Sequence, residues 1–406
     1  MRYLVYFVVS VFLAGCVWQE TESNPDYLPM NDGEYPYAGL PRLVVETEDY
    51  KDIKDYETEH PAKFQIYGEH GPVSPVYDAH LKGRGNTSFN TMAKYSMKLI
   101  LEEDMELFGM PADNDWDLIS NFADRTFLRN QISYKVAKML GEPYAVQGEF
   151  VELYLNREYM GVYQVTEHIK AGKNRVNIPK NGTAVLAEIS TKDGEKNVVR
   201  LDSDRPIKIH YPHNTTDSIV TDFQNFMNDF ERYLRKSSFL SDTTFDKWID
   251  EDAYLRFYWI QEFGRNTDSY YLSTFFTWER GGVIRMGPTW DMDVAYGHPD
   301  NGLMYTGWLK RGRAWNPRFF ANETFEKHVK EYWKDHRKDF ASLVDTVDVY
   351  AKVLRKAAEN DFKKWPILTT TQNWMYYETY DSYDDAVKTL KTWIRNRVKW
   401  IDENLE

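Results

Sequence analysis

Two carboxylates one residue apart, Asp291 and Asp293, end the stretch Trp290-Asp291-Met292-Asp293, which follows the apolar run 283–286 and the turn Gly287-Pro288. Burying charge is costly unless it is paired or holds a metal. Oxygen-only donors of this kind suit a hard cation such as Mg²⁺ or Mn²⁺. A second polar group, Asn266-Thr267-Asp268, stands just before the β-rich piece "SYYLSTFF". Taken alone, it reads equally as a structural cap or turn and as a functional group. A third group, Lys82-Gly83-Arg84-Gly85-Asn86-Thr87-Ser88, sets two glycines among small polar residues. Such a turn can bring backbone N–H groups against phosphate oxygens. On the strand that follows, Lys94 and Lys98 share a face, so spacing does not choose between them. Met97 and Leu99 bracket Lys98 and make it the better sheltered of the two.

These groups need elements to hold them. From residue 40 to about 101, short β-rich pieces are broken by Gly, Pro and charged turns. Residues 124–140 repeat Phe127, Leu128, Ile132, Val136 and Leu140 at helical spacing, and Gly141 stops the helix. Strands return at 150–155 and 160–166 around the turn "NREY", then at 184–189, 198–201 and 207–211. Beyond residue 214 helices dominate, at 218–236, at 245–263 and from about 322 to 404, interrupted by a β pair at 270–278 and 283–286. A hairpin there folds Asp268, before the first strand, back toward Asp291, after the second. The order predicts an α+β chain of two lobes: a β-rich front at 38–214 with one helix, and a mainly helical back at 215–406 that carries the catalytic β pair.

Phosphoryl transfer needs a phosphate cradle, a lysine, a metal-binding carboxylate and a carboxylate that orients the attacking hydroxyl. The pattern of Asp268, β pair and Asp291 has the logic of a kinase catalytic loop followed by its metal-binding aspartate. A carbohydrate-active enzyme could use Asp268 and Asp291 as its acid and its nucleophile or base, but that leaves the glycine turn and the lysine unexplained. A catalytically silent envelope scaffold is the other alternative. The nine His residues form no HExxH-like pairing, so no zinc site is expected.

Composition narrows the setting. A formal net charge of −13 argues against a nucleic-acid partner. Residues 4–13 form an apolar run after Arg2, too short for a comfortable membrane span and shaped like an export signal. The run ends in Leu13-Ala14-Gly15-Cys16, with Cys16 the only cysteine, so no intrachain disulfide can form. This resembles a bacterial lipoprotein signal. It predicts a signal peptide at 1–15, lipidation of Cys16, a flexible tether at 16–37, and an exported protein anchored by lipid to the cell envelope, at the periplasmic or surface face of an outer membrane.

The ordered pieces "KGRGNTS", "KYSMKL", "NDWDLISNFADRTFLRNQISYKVAKMLG", "VELYLNREYMGVYQVTEHI", "NTDSYYLSTFF" and "GPTWDMDVAYG" resemble the CotH kinase family, atypical kinases named after a spore-coat protein. The resemblance implies a protein-kinase-like two-lobed fold, ATP with Mg²⁺ or Mn²⁺, and phosphorylation of protein Ser or Thr, including autophosphorylation. Carried over by residue, it implies that Asp268 is the catalytic carboxylate, with Asn266 beside it. Asp291 becomes the metal-binding aspartate with Asp293 in the same role, and Lys98 the strand lysine acting with Arg84, Gly85, Asn86 and Ser88 on the phosphates. The partner of Lys98 stays open. Glu167 belongs either to the linker near the adenine or to the lysine's ion pair, and Asp124 and Arg125 are either structural or phosphate-facing.

Overall fold

The computed structural model describes residues 27–192, 194–298, 304–370 and 379–405. The expected signal peptide, Cys16 and the expected tether up to residue 26 lie outside the described residues. The chain is mixed α+β, β-rich in front and helical behind.

The front contains β1 (Arg42–Thr47), β2 (His60–Gly68), the short β3 (Gly71–Pro72), β4 (Tyr77–Arg84), β5 (Ser96–Leu107), β6 (Met110–Ile119), β7 (Gly148–Leu155) and β8 (Glu158–Glu167). Strands pair in the order β1-β7-β8-β6-β5-β4-β2, and β2 returns to β1 to close a seven-stranded barrel, with β3 added at the side of β2. Period-two alternation fills it: Ala79 and Leu81 of β4, Met97, Leu99 and Leu101 of β5, and Trp116 and Leu118 of β6 point inward. Closure rests on β1 running parallel to β7, a pairing about a hundred residues apart that no local pattern announces. The same alternation turns Lys98 outward, where its register partner across the ladder is Asp117.

A second sheet has the order β10-β11-β9-β12-β13, formed by β9 (Ala184–Ile189), β10 (Val198–Arg200), β11 (Pro206–Tyr211), β12 (Thr274–Glu279) and β13 (Arg285–Met286). Strands from both sides of residue 214 therefore share one sheet. The hairpin turn of β12 and β13 is closed by Gly282 N donating to Glu279 O at 2.8 Å.

The helices are α1 (Thr87–Thr91), α2 (Arg129–Met139), α3 (Ser218–Arg235), α4 (Glu251–Gly264), α5 (Asn316–Phe319), α6 (Glu323–Lys364) and α7 (Tyr383–Asn404). Two begin later than apolar spacing suggests. The Asp124 carboxylate accepts from the amides of Thr126 (2.9 Å) and Arg129 (2.8 Å), so a turn occupies 124–128 before α2. Upstream of α4, Trp248 and Asp250 are tied by backbone bonds to Ile284, and the Asp250 side chain then caps the helix.

Helix α6 spans 42 residues, about 63 Å at the α-helical rise. Its first half packs on α4 and its C-terminal end reaches the barrel at β8. There Asp361 meets Lys94 in a fully buried ion pair, and Val162 N donates to the same carboxylate oxygen at 2.7 Å. Gly161 is required at that approach, because a Cβ would come within 2.3 Å of Asp361 Oδ2. Lys94 thus ties the barrel to the strut, and of the two strand lysines Lys98 is the one that lines the cleft. Among the described residues no helix is long and apolar enough to cross a membrane.

Candidate active site

A cavity of about 770 Å³ opens between the outer face of β4-β5-β6, the second sheet and the turn after α4. Arg84, Gly85, Asn86, Ser88, Lys98, Asp268, Asp291 and Asp293 all line it. The fold therefore brings together most of the residues singled out by sequence, while Glu167, Asn266, Asp124 and Arg125 do not line the cavity.

The glycine turn continues β4. Gly83 lies so close to neighbouring backbone that a Cβ would come within 2.6 Å of Asp55 O, and Gly85 holds φ +87°, which favours glycine. Between them, Arg84 Nε lies 2.7 Å from Asp117 Oδ1, and its guanidinium covers the Trp290 ring at 4.9 Å. Asp117 is fully buried and also takes His168 Nδ1 at 3.0 Å. Burial would raise its pKa, but Arg84 and His168 outweigh that and lower it. Lys98 Nζ lies 2.9 Å from Asp115 Oδ1, while Lys170 Nζ meets Asp115 Oδ2 at 2.7 Å. Against the cost of burial, these two ammonium groups hold Asp115 down at about 2. The partner of Lys98 is therefore Asp115.

Glu167 sits outside the cleft. Its Oε1 lies 3.2 Å from Arg175 Nη1, its Oε2 accepts from Gln147 N at 2.8 Å, and it faces a separate cavity of about 330 Å³. The end of β8 turns its side chain away from Lys98, which removes it from that lysine's ion pair. Asn266 is buried beneath the cleft. Its Nδ2 donates to Gln261 Oε1 and to Asp291 O, both at 3.0 Å, and its Oδ1 accepts from Asp268 N at 3.1 Å. It cross-links the two aspartate loops and is a positioning residue. Asp124 and Arg125 are likewise buried, with Asp124 paired to Arg129.

The carboxylates sit on constrained backbone. Asp291 has φ +58°, and nearby Tyr270 and Ser273 have φ +71° and +50°. Non-glycine residues held there cost about 1–3 kcal/mol each and cluster at functional sites. Ser273 Oγ donates to Asp291 Oδ2 at 2.8 Å. Met292 N donates to Asn130 Oδ1 at 2.8 Å, so α2 fixes the loop between the two aspartates. Burial raises the pKa of Asp291 despite Ser273 and Arg84, with Glu188 adding to the rise. Asp293 is raised further, by burial and then by Asp291, Asp268 and Asp124. Crowded, desolvated carboxylates of this sort are what a divalent cation neutralises, and their oxygens fit Mg²⁺ or Mn²⁺. Among the described residues no group of three or more His, Cys, Asp or Glu side chains could hold a metal ion by itself. An ion here would need further oxygens, from phosphates and water, as Mg²⁺ sites commonly do.

Several contributors escaped the sequence reading. Asp113, Asp115 and Asp117 alternate with Asn114, Trp116 and Leu118, a period-two pattern that marks β6 and the face on which its carboxylates meet Lys170, Lys98 and Arg84. Asn130, His168 and Glu188 carried no comparable signal.

A family model for the CotH kinase protein matches residues 81–401, which takes in the barrel from within β4 onward, the second sheet, helices α1 to α6 and most of α7. No curated protein matches the chain.

Proposed function

Because the chain belongs to the CotH kinase family, we propose that it is an atypical protein kinase that transfers the γ-phosphoryl group of ATP to a protein Ser or Thr hydroxyl, its own included. One observation carries this: the glycine turn, Lys98 and three aspartates face a single cleft.

In this reading the barrel and the helical part correspond to the two lobes of a kinase. The backbone N–H groups of the Gly85-Asn86-Ser88 turn, with Arg84 and Lys98, bind the phosphate oxygens. Ile119, Tyr134, Ile169, Phe275 and Trp290 offer an apolar wall to the base. Asp291, with Asp293, would hold Mg²⁺ or Mn²⁺, which when bound neutralises charge on the phosphates. Asp268 orients the acceptor hydroxyl and receives its proton as the new O–P bond forms and the bond to the ADP oxygen breaks. Asn266 and Ser273 hold the aspartates in place. The proposal includes export and lipid anchoring through Cys16.

Calorimetric titration with a non-transferable ATP analogue tests the nucleotide part. Metal-dependent binding that Asp291→Ala weakens is expected, and no binding with or without metal contradicts the reading.

A further inference from the structure

Residues 304–310 fold back against the C-terminal end of α4, and one buried carboxylate organises the contact. Glu262 accepts from the amides of Leu309 (2.9 Å) and Lys310 (2.6 Å). Arg397 of α7, fully buried, donates to Glu262 Oε1 at 2.7 Å and to the carbonyls of Tyr305 and Gly307 at 2.9 Å each. Arg265 holds the carbonyls of Thr306 (2.7 Å) and Gly307 (2.8 Å) from the other side. A buried ion pair is weak evidence of added stability, but breaking one is expensive. The clamp therefore fixes where the next side chain goes.

That side chain is Lys310. It has no exposed surface. Its carbonyl accepts from Asn316 Nδ2 at 2.8 Å, and Asn316 is itself held by Tyr254. Its Nζ donates to the carbonyl of Ser269 at 3.0 Å, one residue past Asp268. Burying an ammonium is costly without a partner charge. The charged groups acting on it are Glu262 and Asp268, which favour its protonation, and Arg265, which opposes it. Six hydrogen bonds from the clamp to the backbone of residues 305–310 thus deliver a cation to the base of the catalytic turn. No step of the proposed phosphoryl transfer uses that cation.

We propose that Lys310 is a positioning residue for Asp268, its ammonium pinning the turn 266–269 and compensating the carboxylate's charge while the acceptor hydroxyl is oriented. This rests on the kinase reading of Asp268. Burial lowers the ammonium to about 7, so its charge is lost as pH rises through that value, and the rate falls with it.

Lys310→Met tests this in the full chain, because Met fills the space without the charge. Expected are a fall in kcat of about 100-fold with KM for ATP held within about twofold, an unchanged or higher melting temperature, and loss of the alkaline limb near pH 7. Hydrogen exchange at the amides of residues 266–272 should quicken. A wild-type rate with the limb intact overturns the proposal. So does a loss of rate that merely tracks a loss of folding and of ATP binding. If the wild-type chain transfers no phosphate, the kinase reading fails on that result. The exchange measurement then decides the positioning claim: unchanged protection at 266–272 overturns it.

Discussion

At the scale of single residues, the site separates groups that would touch the reacting atoms from groups that hold them. Asp268→Asn should lower kcat by roughly 100- to 10,000-fold, the range of a general base, and leave nucleotide binding near wild type. An equal loss of binding would move Asp268 to the metal. Lys98→Met should lower kcat/KM by about 100-fold, as expected for one charged donor on a transferring phosphoryl group, measured by steady-state kinetics in ATP. The Lys98–Asp115 contact also has a defined pH window. Asp115 is held at about 2 in the folded protein, below the usual carboxylate value. Its contribution is therefore complete above that usual value and is lost as pH falls toward 2. Denaturant midpoints across that acid range should fall less steeply for Asp115→Asn than for wild type. Sequence alone pointed to Asp268, Asp291 and Asp293 by their carboxylates at the two ends of a β pair, and to Lys98 by the apolar residues Met97 and Leu99 on either side of it. It could not separate Asn266 as a support or remove Glu167, since both depend on which way a buried side chain faces.

At the scale of elements, local patterns were legible and distant pairings were not. Helices α3, α6 and α7 match their apolar spacing closely, and the β12–β13 hairpin forms where the Gly281-Gly282 turn suggests. Strand β6 went unread because three aspartates interrupt its apolar residues. Those aspartates are tolerated because each meets a cation: Asp117 meets Arg84, Asp115 meets Lys98, and Asp113 meets Lys170. Barrel closure was hidden for another reason: β1 meets β7 across a long stretch of chain, and both look like ordinary strands locally. The glycine turn shows an element serving chemistry directly. Gly85→Val puts a β-branched residue at φ +87°, a strain of about 1–3 kcal/mol. Raised KM for ATP with nearly unchanged kcat should follow if the turn binds phosphates, read from ATP saturation curves.

At the scale of the whole molecule, the long strut α6 joins the barrel to the helical part, and the buried Lys94–Asp361 pair is its far anchor. Asp361→Ala leaves an ammonium buried without its partner and should cost about 3–5 kcal/mol in denaturant unfolding, whereas Lys94→Met with Asp361→Leu should come close to neutral. A similar loss in both would show that the pair adds stability in its own right. With the two parts fixed, the cleft between them is the feature on which the account depends. The most direct measurement is transfer of label from γ-labelled ATP to protein in the presence of Mn²⁺ or Mg²⁺, with Asp268→Ala and Asp291→Ala alongside. Metal-dependent incorporation at Ser or Thr, abolished by both substitutions, is the expected result. Label that survives Asp268→Ala, or no label from the wild-type chain with the metal and a range of protein acceptors, would contradict it.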